Sequence, residues 1–259
     1  MGRALVSACL TLLVTAPARA QAIPDETPDS VTLLSRLDLY ASAQALSGGD
    51  PRFLWETRWG ADIDFLDYLY GRWSFLVDFE GFYGEELQPF DPNQAIYTLA
   101  FSLSGRMGET EAVALFDHVS RHLVDRPKNF GIAWNTVRGR LQRRVPLGPG
   151  FVDVRWDIGN VIQRAYVDYR WTTGAEARAE RPLSPRTTLL VRGSFDYWGV
   201  IEEKAGRDSQ AGGRFEAGVR FAVGGGDIEV FGGVEKLVDA DPIERGPRTW
   251  GFVGFRLIP

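Results

Sequence analysis

The sequence predicts an all-β protein, a closed antiparallel transmembrane β-barrel of about 12 strands preceded by a cleaved signal peptide. Three observations predict it. An apolar leader ends in a small-residue cleavage pattern, and the chain after it is dominated by segments in which apolar and polar residues alternate with period two. No apolar stretch in that chain approaches the roughly 18 uncharged residues of a spanning helix, so insertion into a bilayer has to use strands.

The leader comes first. Arg3 precedes an apolar run from Ala4 to Val14, followed by Ala18-Arg19-Ala20, an Ala-x-Ala cleavage site. Residues 1–20 are read as the signal peptide, 21–30 as a short periplasmic segment and 31–259 as the barrel. Cys9 follows Val6-Ser7-Ala8 in the manner of a lipoprotein box. Too few apolar residues separate Arg3 from Ser7 for that reading, and the apolar run continues past Cys9. Cys9 is the one cysteine, so the mature chain has no disulfide and depends on strand pairing and packing. Losing Arg3 and Arg19 takes the formal charge from −5 to −7, which argues against a nucleic-acid partner because binding a phosphate backbone needs a basic face.

The strands follow from alternation and turn residues. In the clearest segment Trp55, Thr57, Trp59, Ala61, Ile63 and Phe65 alternate with Glu56, Arg58, Gly60, Asp62 and Asp64. Phe215, Ala217, Val219 and Phe221 oppose Arg214, Glu216, Gly218 and Arg220 in the same way. Cutting at turn signals gives strands near 31–46, 52–65, 70–84, 93–105, 110–122, 129–145, 150–158, 162–181, 186–199, 210–223, 227–238 and 247–258. An even number of strands, with tight turns alternating with longer joins, fits a barrel whose two termini lie in the periplasm. The join at Gly159-Asn160 is tight for the outer side. The 16 Phe, 8 Trp and 8 Tyr suit aromatic girdles at headgroup depth. Apolar faces are expected to meet lipid, and charges such as Asp62, Asp78, Asp168, Arg170, Arg192 and Arg220 to line a wet lumen, as a polar plug or a narrow pore. A soluble β-sandwich or lipocalin-like barrel would have the opposite sorting.

One cluster has chemical interest: Phe116-Asp117-His118-Val119-Ser120-Arg121-His122 ends the fifth strand and holds both histidines. On a strand His118, Ser120 and His122 point the same way, which sets an imidazole beside a hydroxyl. A turn centred near Asp125 and Arg126 would pair His118 with about Ala133 and bring Asn135 one diagonal step away, placed to orient the imidazole. Ser120 as nucleophile, His118 as base and Asn135 as orienter form the candidate catalytic set, with His122 and Asp125 as further candidates. The alternative reading makes them rim residues within a solvated charge cluster. Gly224-Gly225-Gly226-Asp227 reads as a hairpin turn, and Asp239, Asp241 and Glu244 as solvated carboxylates of one outer loop. No cofactor and no metal are expected.

The His-x-Ser pair with an Asn on the neighbouring strand resembles the arrangement in outer-membrane phospholipases and lipid A deacylases, which have Asn after the serine where this chain has Arg121. The run Ala112 to Pro127 is similar to a family of uncharacterised outer-membrane barrels with a strand pattern His-x-Ser-Ser-His-Leu-Gly-Asp-Glu. His118, Ser120, His122, Leu123 and Asp125 match it, while Arg121, Val124 and Arg126 depart. That resemblance implies fold and location, with no assigned activity. The expected function is an integral outer-membrane barrel, structural or passing a limited range of solutes; the alternative is an acyl-ester hydrolase of envelope lipids. The expected partners are outer-membrane lipids and, for a pore, a small solute; a monomer is expected.

Overall fold

The structure is a computed structural model that describes residues 23, 30–124 and 130–258; the expected signal peptide lies outside them. Twelve strands form one closed antiparallel barrel in which each strand pairs with its sequence neighbours and the first with the last. They are β1 (Thr32–Leu46), β2 (Trp55–Asp67), β3 (Arg72–Gly84), β4 (Asp91–Met107), β5 (Thr110–Leu123), β6 (Ile132–Leu147), β7 (Gly150–Ala165), β8 (Tyr169–Ser184), β9 (Thr187–Val200), β10 (Gln210–Val223), β11 (Gly226–Asp241) and β12 (Gly246–Ile258). A one-turn helix, α1 (Glu202–Ala205), lies in the β9–β10 loop. Tight turns gather at the end expected to be periplasmic. Gly108 and Gly148 take positive φ of 61° and 58° there, a conformation that costs glycine little.

The surface is sorted inside out. Trp59 is 53% exposed, and Leu99, Phe101, Trp156, Ile158, Val230 and Phe255 also look outward, while Asp62, Asp78, Glu80, Glu216 and Glu229 are buried within. Such a surface is stable against acyl chains rather than water, and it is the surface of an outer-membrane barrel. Phe215 and Val219 share the outward face, half-buried between neighbours.

Three sequence expectations are corrected. Gly159 and Asn160 lie in the middle of β7, which runs on to Ala165, and the join to β8 is 166–168. Glycine serves there as space: a Cβ on Gly159 would lie 2.5 Å from Cγ of Arg138, whose guanidinium bridges Asp117 and Asp157 on the two flanking strands. Arg170, expected inside, is exposed on the outer wall, whereas Asp168 is buried in the β7–β8 join. The lumen is also not polar throughout. Phe53 folds in from the β1–β2 loop, stacks on Trp250 at 5.7 Å and meets Phe82 edge-on at 5.6 Å, in a cluster with Leu46, Ile96 and Phe252. Trp134, Tyr169 and Trp198 fill the opposite side. Toward the periplasm, mixed-sign charges surround a cavity of about 490 Å³.

Arginines tie the outer mouth. Arg207 forks onto Asp168 at 2.7 and 2.8 Å and onto Asp239 at 2.6 and 2.7 Å, while Arg52 joins Asp50, Asp241 and Glu244. Asp239 and Asp241 are thus buried, arginine-paired ends of β11 rather than solvated loop carboxylates. Partial burial opposes ionisation of Asp50, but hydrogen bonds from the Arg52 side chain and backbone outweigh it and hold the carboxyl below its usual range. The Arg52 hydrogen bond does the same for Glu244. Depressed folded-state values mean that this contribution is complete above the ordinary carboxylate pKa of about 4 and is lost as pH falls through the folded values. Hydrogen exchange of residues 47–54, corrected for intrinsic rate, is therefore expected to lose protection on acidification through that range. In Arg52→Gln protection is already low at neutral pH; a pH-independent profile in the parent chain would contradict this account.

Candidate active site on the outer wall

Alternation settles which way β5 faces. Glu111, Val113, Leu115, Asp117, Arg121 and Leu123 are buried in the lumen, so Phe116, His118, Ser120 and His122 look out. In the sequence neither face of this strand is clearly polar, since Val113, Leu115 and Val119 lie opposite Ala112, Ala114 and Phe116. Arg121, where the resembling families carry another residue, points inward and donates to the Asp239 carbonyl at 2.6 Å, pinning β5 to β11.

The cross-strand register places the partner. His118 pairs directly with Asn135 on β6, and Ala133 lies opposite Ser120; the expected offset of His118 onto Ala133 is corrected, because the β5–β6 connection is centred further along the chain than Asp125–Arg126. Direct pairing leaves no diagonal step, and His118 Nδ1 lies 2.6 Å from Asn135 Oδ1. Since an amide oxygen only accepts, Nδ1 donates, and the Nε2 lone pair is left for a proton. The amide is itself oriented: Asn135 Nδ2 donates to Gln163 Oε1 at 2.8 Å.

Gln163 reaches that position through a bulge. The β6–β7 register slips between Thr136↔Val161 and Asn135↔Gln163, so Ile162 is the extra residue. Val161 points in, and Ile162 and Gln163 both face out. Sequence reading missed Gln163 because it cut β7 at Gly159 and gave residue 163 to the next strand. Carrying β7 through to Ala165 would have brought it beside Asn135.

Ser120 lies between two imidazoles, at i−2 and i+2 on one face. Its Oγ rests 3.4 Å from His122 Nε2, at the long limit of a hydrogen bond. The His122 ring meets Tyr97 edge-on at 5.3 Å; Tyr97 meets Phe79 at 5.2 Å and Phe79 stacks on Trp59 at 5.0 Å, so an aromatic girdle across β2–β4 ends at this residue. Asp125 lies outside the described residues. Below the cluster the outward residues turn apolar: Phe116 on β5, Val137 and Leu141 on β6. His118 and Asn135 are therefore brought together at the outer edge of the lipid-facing band, with Ser120 two residues along on the same face and in contact with His122.

No protein-family model matches the chain, and no curated protein matches it in sequence. Among solved structures it is similar to outer membrane phospholipase A from Escherichia coli, with 12% identity and a TM-score of 0.53 over 85% of this chain and 92% of that one. An active-site mutant of the same protein, an asparagine replaced by alanine, gives 13% and 0.53 over 87% and 91%. The outer membrane phospholipase of Salmonella typhi, a dimer with bound calcium, gives 13% and 0.52 over 85% and 90%. At these identities the shared feature is the outer-membrane barrel fold.

Proposed function

We propose that the chain is an acyl-ester hydrolase acting on lipids of the membrane that surrounds it. The observation that carries this reading is the His118–Asn135 hydrogen bond on the lipid-facing wall. An imidazole fixed in one tautomer beside a serine hydroxyl, at the border between apolar band and headgroups, faces the depth at which lipid esters lie. The fold shared with outer membrane phospholipase A supports the same reaction class by analogy.

In this reading Ser120 Oγ attacks the ester carbonyl while His118 Nε2 takes the hydroxyl proton, with Asn135 holding the resulting imidazolium in place. The alcohol of the lysolipid leaves with that proton, and the acyl group remains on Ser120. Water then attacks the acyl-serine as His118 takes its proton; fatty acid is released and Ser120 is reprotonated. The substrate enters sideways from the bilayer, and nothing has to pass through the lumen. The aromatic cluster and arginine pairs across the outer mouth favour this reading over solute passage.

The test is fatty-acid release from phospholipid in detergent micelles by the purified full chain. Ser120→Ala is expected to fall to background, with heat-modifiable gel migration showing that the barrel is intact. Equal release by parent and variant would end the proposal.

A further inference from the structure

A second irregularity lies two strands from Asn135. At the outer end of β8, Tyr169 points into the lumen, and regular alternation would send Arg170 out and Trp171 in. The β8–β9 register instead slips between Tyr169↔Val200 and Trp171↔Gly199, so Arg170 is the extra residue and both Arg170 and Trp171 face outward, while Thr172 is fully buried. A bulge re-aims side chains in this manner, and here it sets a cation and an indole side by side on the lipid face.

The position of the pair has a physical meaning. Further along the outward face of β8 come Thr173, Ala175, Ala177 and Ala179, then Arg181. The interval from Trp171 to Arg181 matches the roughly 9 to 11 residues that a tilted strand needs to cross the hydrocarbon layer. Arg170 and Trp171 thus stand at the outer interface. Beside them a shallow groove on the outer wall is lined by Val137, Ile158, Gly159, Asn160, Arg170 and Trp171. Val137 is the next outward residue after Asn135 on β6. Two inter-strand spacings, about 10 Å, separate Asn135 from β8.

Charge identifies the occupant. Among the described residues Arg170 has neither a hydrogen bond nor an ion-pair partner. Arg164, also exposed, is held by the carbonyls of Val161 and Tyr169, and Arg143 is paired with Glu109. At the outer interface the anions within reach of an unpaired guanidinium are lipid phosphates, which it binds as a planar, multidentate donor. We propose that this groove is a phospholipid subsite: Arg170 holds the phosphate, Trp171 and Asn160 flank the headgroup, and an acyl chain lies along Val137 and Ile158. The presentation of the lipid's ester to Ser120 rests on the hydrolase reading; the binding does not.

The experiment reads Trp171 fluorescence in the full chain, as the difference between the parent and Trp171→Phe, in micelles carrying brominated phospholipid or the diacylglycerol with the same acyl chains. Phospholipid is expected to quench Trp171 at an about fivefold lower mole fraction, the preference conferred by one cation at a membrane surface. Arg170→Gln is expected to remove the preference and Arg170→Lys to restore most of it. Equal quenching by both lipids, or a preference that survives in Arg170→Gln, would overturn the subsite. Displacement of the lipid by excess inorganic phosphate would also overturn it, marking a bare ion site. If the preference depends on Arg170 in a protein that hydrolyses nothing, the subsite stands and the hydrolase reading fails.

Discussion

Replacement of His118 by alanine is expected to lower kcat/KM for acyl-ester hydrolysis by about 10²- to 10⁴-fold, the contribution of a positioned general base, and replacement of His122 to cost far less. The two rings lie at i−2 and i+2 from Ser120 on one face, and the hydroxyl rests 3.4 Å from Nε2 of His122. Proximity is not what separates them. A base needs a free lone pair aimed at the hydroxyl, and only His118 has its other nitrogen committed as a donor, to Asn135 at 2.6 Å. Among the described residues no hydrogen bond fixes the His122 Nδ1, and its ring is packed edge-on against Tyr97 instead. Asn135→Ala is expected to act through His118 and cost about tenfold to a hundredfold, with Asn135→Asp recovering part of the loss. The measurement is kcat/KM in mixed micelles at saturating detergent. A large loss in His122→Ala with little change in His118→Ala would reverse the assignment of the base.

The largest expected effect on stability lies at the other end of the barrel. Arg72 is 2% exposed and forks onto Glu111, with Nε–Oε1 and Nη2–Oε2 both at 2.9 Å, while Nη1 reaches Asp64 Oδ2 at 2.7 Å. Gln142 donates to Glu111 at 2.6 Å, and Ser74 and Ser104 bind the same two carboxylates. Arg72→Met leaves Glu111 enclosed with no cation among the described residues, a change that costs about 3 to 5 kcal/mol, while Asp64 keeps Arg36, whose Nε lies 2.7 Å from it. Urea unfolding of detergent-folded protein measures it. Adding Glu111→Gln to Arg72→Met is expected to recover most of the loss, because the penalty belongs to the stranded charge rather than to the missing side chain. A single Arg72→Met within about 1 kcal/mol of the parent would show that water reaches this cluster freely.

Most of the barrel was legible in the sequence because period two carries two independent signals, the strand and the side of it that meets lipid. Trp59 and Phe215 were assigned to the outer face from alternation alone, and the structure agrees. Legibility failed where one residue breaks the period. Gly159 was read as a turn because glycine is permissive, yet its task is to leave room for Arg138. Arg170 was placed in the lumen because nothing in the local sequence announces the bulge that turns it out. The aromatic filling of the outer lumen was hidden for another reason. Phe53 comes from a loop, and Trp134 and Trp250 lie on inward positions where composition suggested girdles. At the site, His118 and Ser120 could be read from spacing on one strand. Asn135 was found by counting across a turn, with an error in the count, and Gln163 was lost with the misplaced end of β7.

The two bulges make chain length, rather than residue identity, the inherited quantity in this part of the wall. Exchanging Ile162 for another aliphatic residue would leave the aim of Gln163 untouched, whereas deleting it would re-phase the end of β7 and turn Gln163 away from Asn135. Deleting Arg170 would likewise return Trp171 to the phase of its strand and swing it toward the interior. In this region a miscount of one is a more damaging mutation than a change of letter.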